Sequence, residues 1–387
     1  IGLVSRMKIL HLGTDEKFIN AARKSYEIAF PDQNYFLILG AEDKSSLKNI
    51  SFEDGLSTLS QKNCFKADRK EQIEDLIRES KVLVFHGLGP MHRAVFETYP
   101  EISNKIFVWS VYGIEVYGLY KVKKSTFAPK TFFKFLFWPF LKEAVNDFLG
   151  RNRDQTASMK ILKQADYVSI LYQEEVDLYR KYELIKKEAK RIAFTYYPAD
   201  FIIERDAPFV DGKNILLGNS ASYSNNHLDA FHHLKKQNLD EIGQVICPLN
   251  YGDLQYAKLI AQEGKTVLGD QFDPLLDFMA LKDYQRLLQS CSIALMYHYR
   301  QQAVGNVLNL IYLGAKVYLS KKNSLYWFLK RIGIKVFSIE EDLVASNASA
   351  FAPLSESEMK DNRSKILKEI SLDQVVKELK TNLSQHL

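Results

Sequence analysis

The feature that most constrains this chain is a repeated unit. A short apolar run closes on glycine or a turn, and a stretch with helical spacing follows. KILHLG (8–13), YFLILG (35–40), KVLVFHG (81–87), KIFVWSVYG (105–113), ADYVSILYQ (165–173) and RIAFTYYP (191–198) are such runs. Most are continuously apolar, the pattern of strands covered on both faces. Helical spacing separates them, for example over 15–30, where Pro31 closes the segment, and over 91–99 and 174–182. Alternating β and α segments of this kind predict a parallel sheet.

A polar, turn-rich stretch, IERDAPFVDGKN (203–214), interrupts the series. A second series then begins with NILLGNS, EIGQVICPLNYG, KTVLGD, SIALMYH, AKVYLS and KVFSI, with helical spacing over 226–236, 253–263, 277–289, 304–313 and 324–332. The last stretch, 356–387, is helical and polar. A length of 387 residues suits two domains. The expected division is an N-terminal Rossmann-like domain (7–205), a C-terminal one (206–350) and a helical tail (351–387). Two such α/β halves match the GT-B arrangement, in which two Rossmann-like domains face a cleft at the carboxyl ends of their strands.

Composition excludes several classes. Net charge is +5, and lysines are mostly interleaved with acids, which argues against nucleic acid as partner. No run of 18 apolar residues exists, so a spanning helix is not expected. Cys64, Cys247 and Cys291 are far apart and show no ligand spacing, which suits free thiols in a reducing compartment. The first six residues, IGLVSR, read as an addition before a natural start at Met7, with no signal-peptide pattern. A cytoplasmic protein is expected.

Chemistry concentrates at the ends of the expected strands. In LLGNSASYSNNH (216–227), Gly218 allows close approach to the backbone, and Ser224 or Asn225 is placed to cap the helix that follows. His227 is within reach of a phosphate or a sugar hydroxyl on this reading. In YHYRQQAVGN (297–306), the basic and amide-rich Arg300-Gln301-Gln302 precedes a helix with Gly305 near its start. A helix N-terminus plus one cation suits a diphosphate. No Asp-x-Asp occurs, which fits a site without metal or other cofactor. Tyr251, in CPLNYGD (247–253), is a candidate for stacking on a base. Plain capped turns and a solvated arginine are the competing readings.

In the first half, HLGTDE (11–16), FHGLGPMH (85–92) and VWSVYGIEVYG (108–118) bring His11, Asp15, His86, His92 and Glu115 to one rim. Any of these is a candidate general base. Asp15 competes as a helix cap, and Glu115 as half of a buried ion pair. The spacing of His86 and His92, without carboxylates, is poor for a metal.

These stretches together resemble the 4-acetamido-4,6-dideoxygalactose (Fuc4NAc) transferases, glycosyltransferase family 56. The resemblance rests on ILLGNSASYSNNH (215–227), PLNYGD (248–253), RQQAVGN (300–306), VWSVYGIEVY (108–117) and TYYPADF (195–201), which span nearly the whole chain. It implies a GT-B fold, a dTDP-sugar donor and a polyprenyl-diphosphate-linked saccharide acceptor at the inner face of the bacterial cytoplasmic membrane. It implies donor-side roles for Gly218, Asn219, Ser220, Asn225, His227, Arg300, Gln301 and Gly305, to which Tyr251, Gln302 and Asn306 are added as neighbours. One element departs: Trp-Gly-x-Asp-Leu-Tyr of the family stands here as Tyr112-Gly113-Ile114-Glu115-Val116-Tyr117. Glu115 is the first candidate catalytic group and Asp15 the second. A nucleotide-sugar epimerase and a non-catalytic peripheral saccharide- or nucleotide-binding protein are the alternatives.

KTFFKFLFWPFLK (130–142) holds six aromatics, and 119–142 holds six lysines and no acid. Proline suits the first turn of a helix, so a helix is expected from Pro139 to Gly150. Phe140, Leu141, Ala144, Val145 and Phe148 then share a face that Phe132, Phe133, Leu136 and Phe137 extend. Read with the lipid-linked acceptor, Lys130, Phe133, Lys134, Phe137, Trp138 and Phe140 form an acceptor or membrane surface, half-buried in the first domain.

Overall fold

The computed structural model describes residues 7–62, 67–149, 151, 153–344 and 349–387. Cys64, Gly150 and the six residues before Met7 lie outside them. The chain packs into two units. The first takes the described residues of 1–119, 150–198 and 370–387, and the second those of 120–149 and 199–369.

The first unit is built on β1 (Ile9–Gly13), β2 (Asn34–Leu39), β3 (Leu56–Leu59), β4 (Val82–His86), β5 (Ile106–Ser110), β6 (Tyr167–Ser169) and β7 (Lys190–Ile192). All pairs are parallel, in the order β3-β2-β1-β4-β5-β6-β7. The second is built on β8 (Ile215–Leu217), β9 (Val245–Pro248), β10 (Phe272–Leu275), β11 (Ile293–Met296), β12 (Lys316–Leu319) and β13 (Phe337–Ser338). Its order is β10-β9-β8-β11-β12-β13, again parallel throughout. In both sheets the strand order reverses beside the first strand, at β1/β4 and at β8/β11. Such reversals open a crevice at the carboxyl ends of the strands.

Three expectations need correction. KTVLGD is not a strand, because the helix Leu254–Leu268 runs through it and β10 lies just beyond. Pro274 lies within β10, which is an edge strand, where a missing N–H is tolerated. The tail is not a separate element either. Helix Glu356–Glu369 belongs to the second unit, and helix Leu372–Leu383 to the first. Val375, Val376, Leu379 and Leu383 of the latter are buried in one core with Ile9, Tyr26, Val82, Val84 and Val108.

The third concerns 120–149, expected in the first domain and found in the second unit. Its anchors are remote in sequence. Asn226 Oδ1 accepts from the Ala128 amide at 2.8 Å. Asp229 accepts from the amides of Lys130 and Thr131, both at 2.9 Å, and from the Thr131 hydroxyl at 2.8 Å. Phe135 packs on Tyr223 and Tyr256. The helix starts at Pro129, not Pro139: Pro129–Thr131 leads into a π-helical stretch, Phe132–Leu136, and then into Phe137–Phe148. The wide π turn precedes Pro139, which has no N–H for an ordinary helical bond.

Candidate functional site

The loops after β8 and β11 meet at the strand-order reversal of the second unit. Gly218 leaves β8 with φ +69°, and its amide donates to Leu295 O at 2.9 Å. A Cβ at Gly218 would stand 2.6 Å from Asn225 Oδ1 and 3.0 Å from His227 Nε2. Only glycine fits that conformation and that space.

Asn225 is the hub. Its Oδ1 accepts from the Asn219 amide at 3.0 Å and faces His298 Nε2 at 2.8 Å. Its Nδ2 donates to Ser220 O at 2.9 Å and to Ser220 Oγ at 3.2 Å. The expected cap at Ser224 or Asn225 is therefore not made. Asn226, left-handed at φ 52°, precedes the helix His227–Leu234, with no side-chain cap. A second set of bonds ties the two loops together. The Ser224 hydroxyl donates to Gln302 Oε1 at 2.5 Å, Gln302 Nε2 donates to Asn219 Oδ1 at 3.1 Å, and Arg300 donates to Ser224 Oγ at 3.3 Å. Gln301 is partly buried in the same loop.

Two buried histidines stand behind these loops. His227 Nδ1 lies 3.0 Å from the Tyr256 hydroxyl. If Tyr256 donates, the imidazole proton sits on Nε2, the atom facing Gly218. His298 must donate through Nε2 to Asn225. Burial pushes both pKa values down to about 3, so both rings are neutral. His227 Nε2 and His298 Nδ1 have no hydrogen-bond partner among the described residues. Such atoms suit a ligand or water. His298, two residues beyond β11, was not among the sequence candidates; one polar residue closing an apolar run was the available signal.

The helix Val304–Tyr312 begins beside these loops, after the left-handed Ala303. Gly305 is its second residue and Asn306, exposed, its third. A Cβ on Gly305 would meet only Ile202, at 4.0 Å, so open space adjoins the helix N-terminus. Tyr251 is 71% exposed on the loop after β9.

The candidates of the first unit separate. Asp15 neither caps the first helix nor stands free: its two oxygens accept from the amides of Lys48 (2.7 Å) and Asn49 (3.0 Å) and hold that loop. His11, His86 and His92 are buried, and burial depresses the pKa of each. Glu115 is 9% exposed, at the start of the short helix Ile114–Tyr117. Its Oε1 accepts from Trp109 Nε1 at 3.1 Å and the Tyr112 amide at 2.9 Å. Oε2 has no partner among the described residues, and the expected ion pair is not formed. Burial raises the pKa of Glu115, while nearby backbone amides and the Trp109 indole oppose that rise. One oxygen is thus oriented and the other is available to a proton. Among the described residues, no group of three or more His, Cys, Asp or Glu is placed to hold a metal.

On the helix that follows Pro129, Phe132 and Thr131 face inward and Lys134 pairs with Glu263. Phe133 (67% exposed), Trp138 (76%), Leu141, Val145 and Phe148 (90%) face out. From Trp138 onward these recur at helical spacing and make one apolar stripe. Lys124, Phe127, Pro129, Phe132, Phe133, Phe137, Phe140 and Leu141 line a cavity of about 350 Å³. Lys130 is exposed nearby. No helix among the described residues is long and apolar enough to cross a membrane.

Comparison with known proteins agrees with this architecture. Residues 164–356 match the family model described as 4-alpha-L-fucosyltransferase, glycosyl transferase group 56. Similar solved structures include sucrose-phosphate synthase from Thermosynechococcus elongatus, with 11% identity, TM-score 0.61, and 98% of this chain and 99% of that one covered. Anabaena HepE, solved with UDP and glucose, has 11% identity and TM-score 0.60, over 98% of this chain and 100% of its own. A glycosyltransferase from Rickettsia africae has 12% identity and TM-score 0.61, over 98% of each chain. The fold is GT-B, with two Rossmann-like domains and C-terminal helices.

Proposed function

Since the chain belongs, through residues 164–356, to glycosyl transferase group 56 and is a nucleotide-sugar glycosyltransferase, we propose that it moves a hexose from a dTDP-sugar to a polyprenyl-diphosphate-linked saccharide. The hexose is a 4-acetamido-4,6-dideoxy sugar or a relative of one. The setting is the inner face of the bacterial cytoplasmic membrane, in surface polysaccharide synthesis.

One observation carries the donor half of this reading: two uncharged polar loops and Arg300 converge where the strand order of the second unit reverses, beside open space at Gly305. In this scheme the diphosphate lies against the first amides of helix Val304–Tyr312, with Asn306 at its edge and Arg300 as counter-charge. Fixed dipoles and one cation then stabilise the departing nucleotide without a metal. His227 Nε2, Asn219 and Ser220 are the groups for donor oxygens, Gln301 and Gln302 hold the loop, and Tyr251 stacks on the base. Glu115 takes the proton of the acceptor hydroxyl through Oε2.

The test is transfer of labelled sugar from dTDP- and UDP-linked donors to a synthetic polyprenyl-diphosphate saccharide in anionic vesicles, with EDTA present. Transfer from the dTDP donor is expected to persist under EDTA. Transfer from neither donor would sink the reading.

The apolar stripe supports the membrane half. It is exposed, it sits among lysines, and its base is bonded to the unit that carries the polar loops. Each lysine near an anionic surface contributes roughly 1 kcal/mol. Replacing Trp138 and Phe148 by serine is expected to reduce sedimentation with anionic vesicles about tenfold or more, with nucleotide binding and thermal unfolding unchanged. Undiminished sedimentation would remove the stripe as the docking surface.

A further inference from the structure

We propose that the first unit carries a pyranose-binding cup formed by Phe18, Tyr112, Tyr196 and Tyr197, with Glu115 as its adjoining polar group. The proposal rests on the glycosyltransferase reading and names the place where the sugar of the acceptor sits.

The four rings come from three segments, each beyond the carboxyl end of a different strand: Phe18, the first residue of the helix after β1, Tyr112 after β5, and Tyr196 and Tyr197 after β7. Phe18 stands at the centre, with ring centroids 5.4 Å from each of the other three, and Tyr112 and Tyr196 are also 5.4 Å apart. All four residues are partly buried rather than fully enclosed. Four aromatic residues gathered at strand ends, short of full burial, offer apolar surface to a ligand.

The cup is held rigidly from below. A Cβ at Gly87 would stand 2.7 Å from the Tyr112 ring, so that ring rests on bare backbone. Tyr196 ends a buried chain of hydrogen bonds. Its hydroxyl lies 2.9 Å from His86 Nδ1, His86 Nε2 lies 3.0 Å from His11 Nδ1, and His11 Nε2 lies 3.2 Å from Asn34 Oδ1. The Asn34 amide nitrogen donates to Phe30 O and Tyr26 O, which fixes Oδ1 as an acceptor. The direction of every link follows: His11 donates to Asn34, His86 to His11, and Tyr196 to His86. Two neutral histidines, His11 and His86, thereby gain a purpose that metal binding or base catalysis does not give them. They orient one phenol.

The chemistry of the occupant follows from the rings and their neighbours. The interplanar angles within the cup are 40–54°, so no parallel slot exists for a flat base. Burial first, and the nearby carboxylate of Glu16 second, raise the pKa of both Tyr112 and Tyr197, and a carboxylate at this rim disfavours a phosphate. A pyranose is thick and neutral, with C–H faces for aromatic rings and hydroxyls for a carboxylate. Glu115 supplies that carboxylate: Oε1 is held by the Tyr112 amide of the same loop, and Oε2 is buried without a partner among the described residues.

The experiment is saturation-transfer NMR of the full chain with methyl glucopyranoside and methyl N-acetylglucosaminide as probes, with dTDP and UDP binding measured in parallel. At least one pyranoside is expected to receive saturation on its ring C–H protons. Phe18→Ala and Tyr197→Ala are expected to weaken that binding about tenfold, with nucleotide affinity unchanged and the chain still folded. Phe18→Leu, which keeps apolar bulk but removes the ring, is expected to lose binding equally. Unchanged pyranoside binding in folded variants overturns the cup, as does failure of the unmodified chain to bind either pyranoside while it binds nucleotide. Failure to bind any nucleotide would instead overturn the transferase reading beneath it.

Discussion

Glu115→Gln is expected to lower kcat about 10²–10⁴-fold, the range in which a positioned base contributes. Glutamine keeps the bonds from Trp109 Nε1 and the Tyr112 amide to Oε1, so the fold and the nucleotide affinity stay as they were. What is lost is the capacity of Oε2 to take a proton. The pH dependence follows from the same environment. Burial raises the pKa of Glu115, and only the ionised form is a base. The rate of the unmodified enzyme is therefore expected to climb with pH through a value above the usual carboxylate range, then level. That ascending limb disappears in the glutamine variant. Steady-state rates across pH, with melting temperature as control, are the measurement. Near-normal turnover with the limb intact would reduce Glu115 to a positioning residue.

Removal of the Arg300 charge is the second large effect. Arg300→Gln is expected to cost about 10²–10³ in kcat/KM for the donor, the magnitude seen when one preorganised electrostatic group is removed from a developing charge. The loss reflects the loop geometry: Arg300 bonds to Ser224 Oγ, and Ser224 bonds to Gln302, so the cation is presented by a tied pair of loops. If the role is to stabilise the departing diphosphate, the loss shrinks with a donor whose leaving group is already good, such as a glycosyl fluoride or an aryl glycoside. Equal losses with both donors would show that Arg300 does not act through the diphosphate.

Much of the polar loop cluster proposed to hold the donor was legible before the fold was known, for a local reason. A glycine that closes an apolar strand, followed by small polar residues and then a helix, is a turn that suits a phosphate or a sugar, written into one short segment. Gly218, Asn219, Ser220 and Asn225 all lie within it, and Arg300 to Asn306 form its counterpart after β11. The role of each residue was less legible. Asn225 proved to be a hub bonded to Asn219, Ser220 and His298, a set that joins residues 219 and 298. Asp15 looked like a cap or a base and is a clamp for a loop 33 residues away. The aromatic cluster proposed to take the acceptor sugar was the least legible, because Phe18, Tyr112 and Tyr196 have no sequence relation until β1, β5 and β7 lie parallel in one sheet.

The sequence by itself determined the class of fold, the two parallel sheets, the polar loops at the strand ends and the greasy, lysine-rich helix. Hydrophobic periodicity and turn chemistry are properties of neighbouring residues, so they survive in one dimension. Only the tertiary structure decided which unit owns that helix. Residues 120–149 follow β5 of the first sheet, yet they belong to the second unit, because the carboxylate of Asp229 and the amide of Asn226 bond the helix start. The same holds for the last helix, claimed by the first unit through Val375, Leu379 and Leu383. Ownership of a segment depends on which buried polar groups and apolar faces across the chain can be satisfied by it, and those partners lie about a hundred residues or more away.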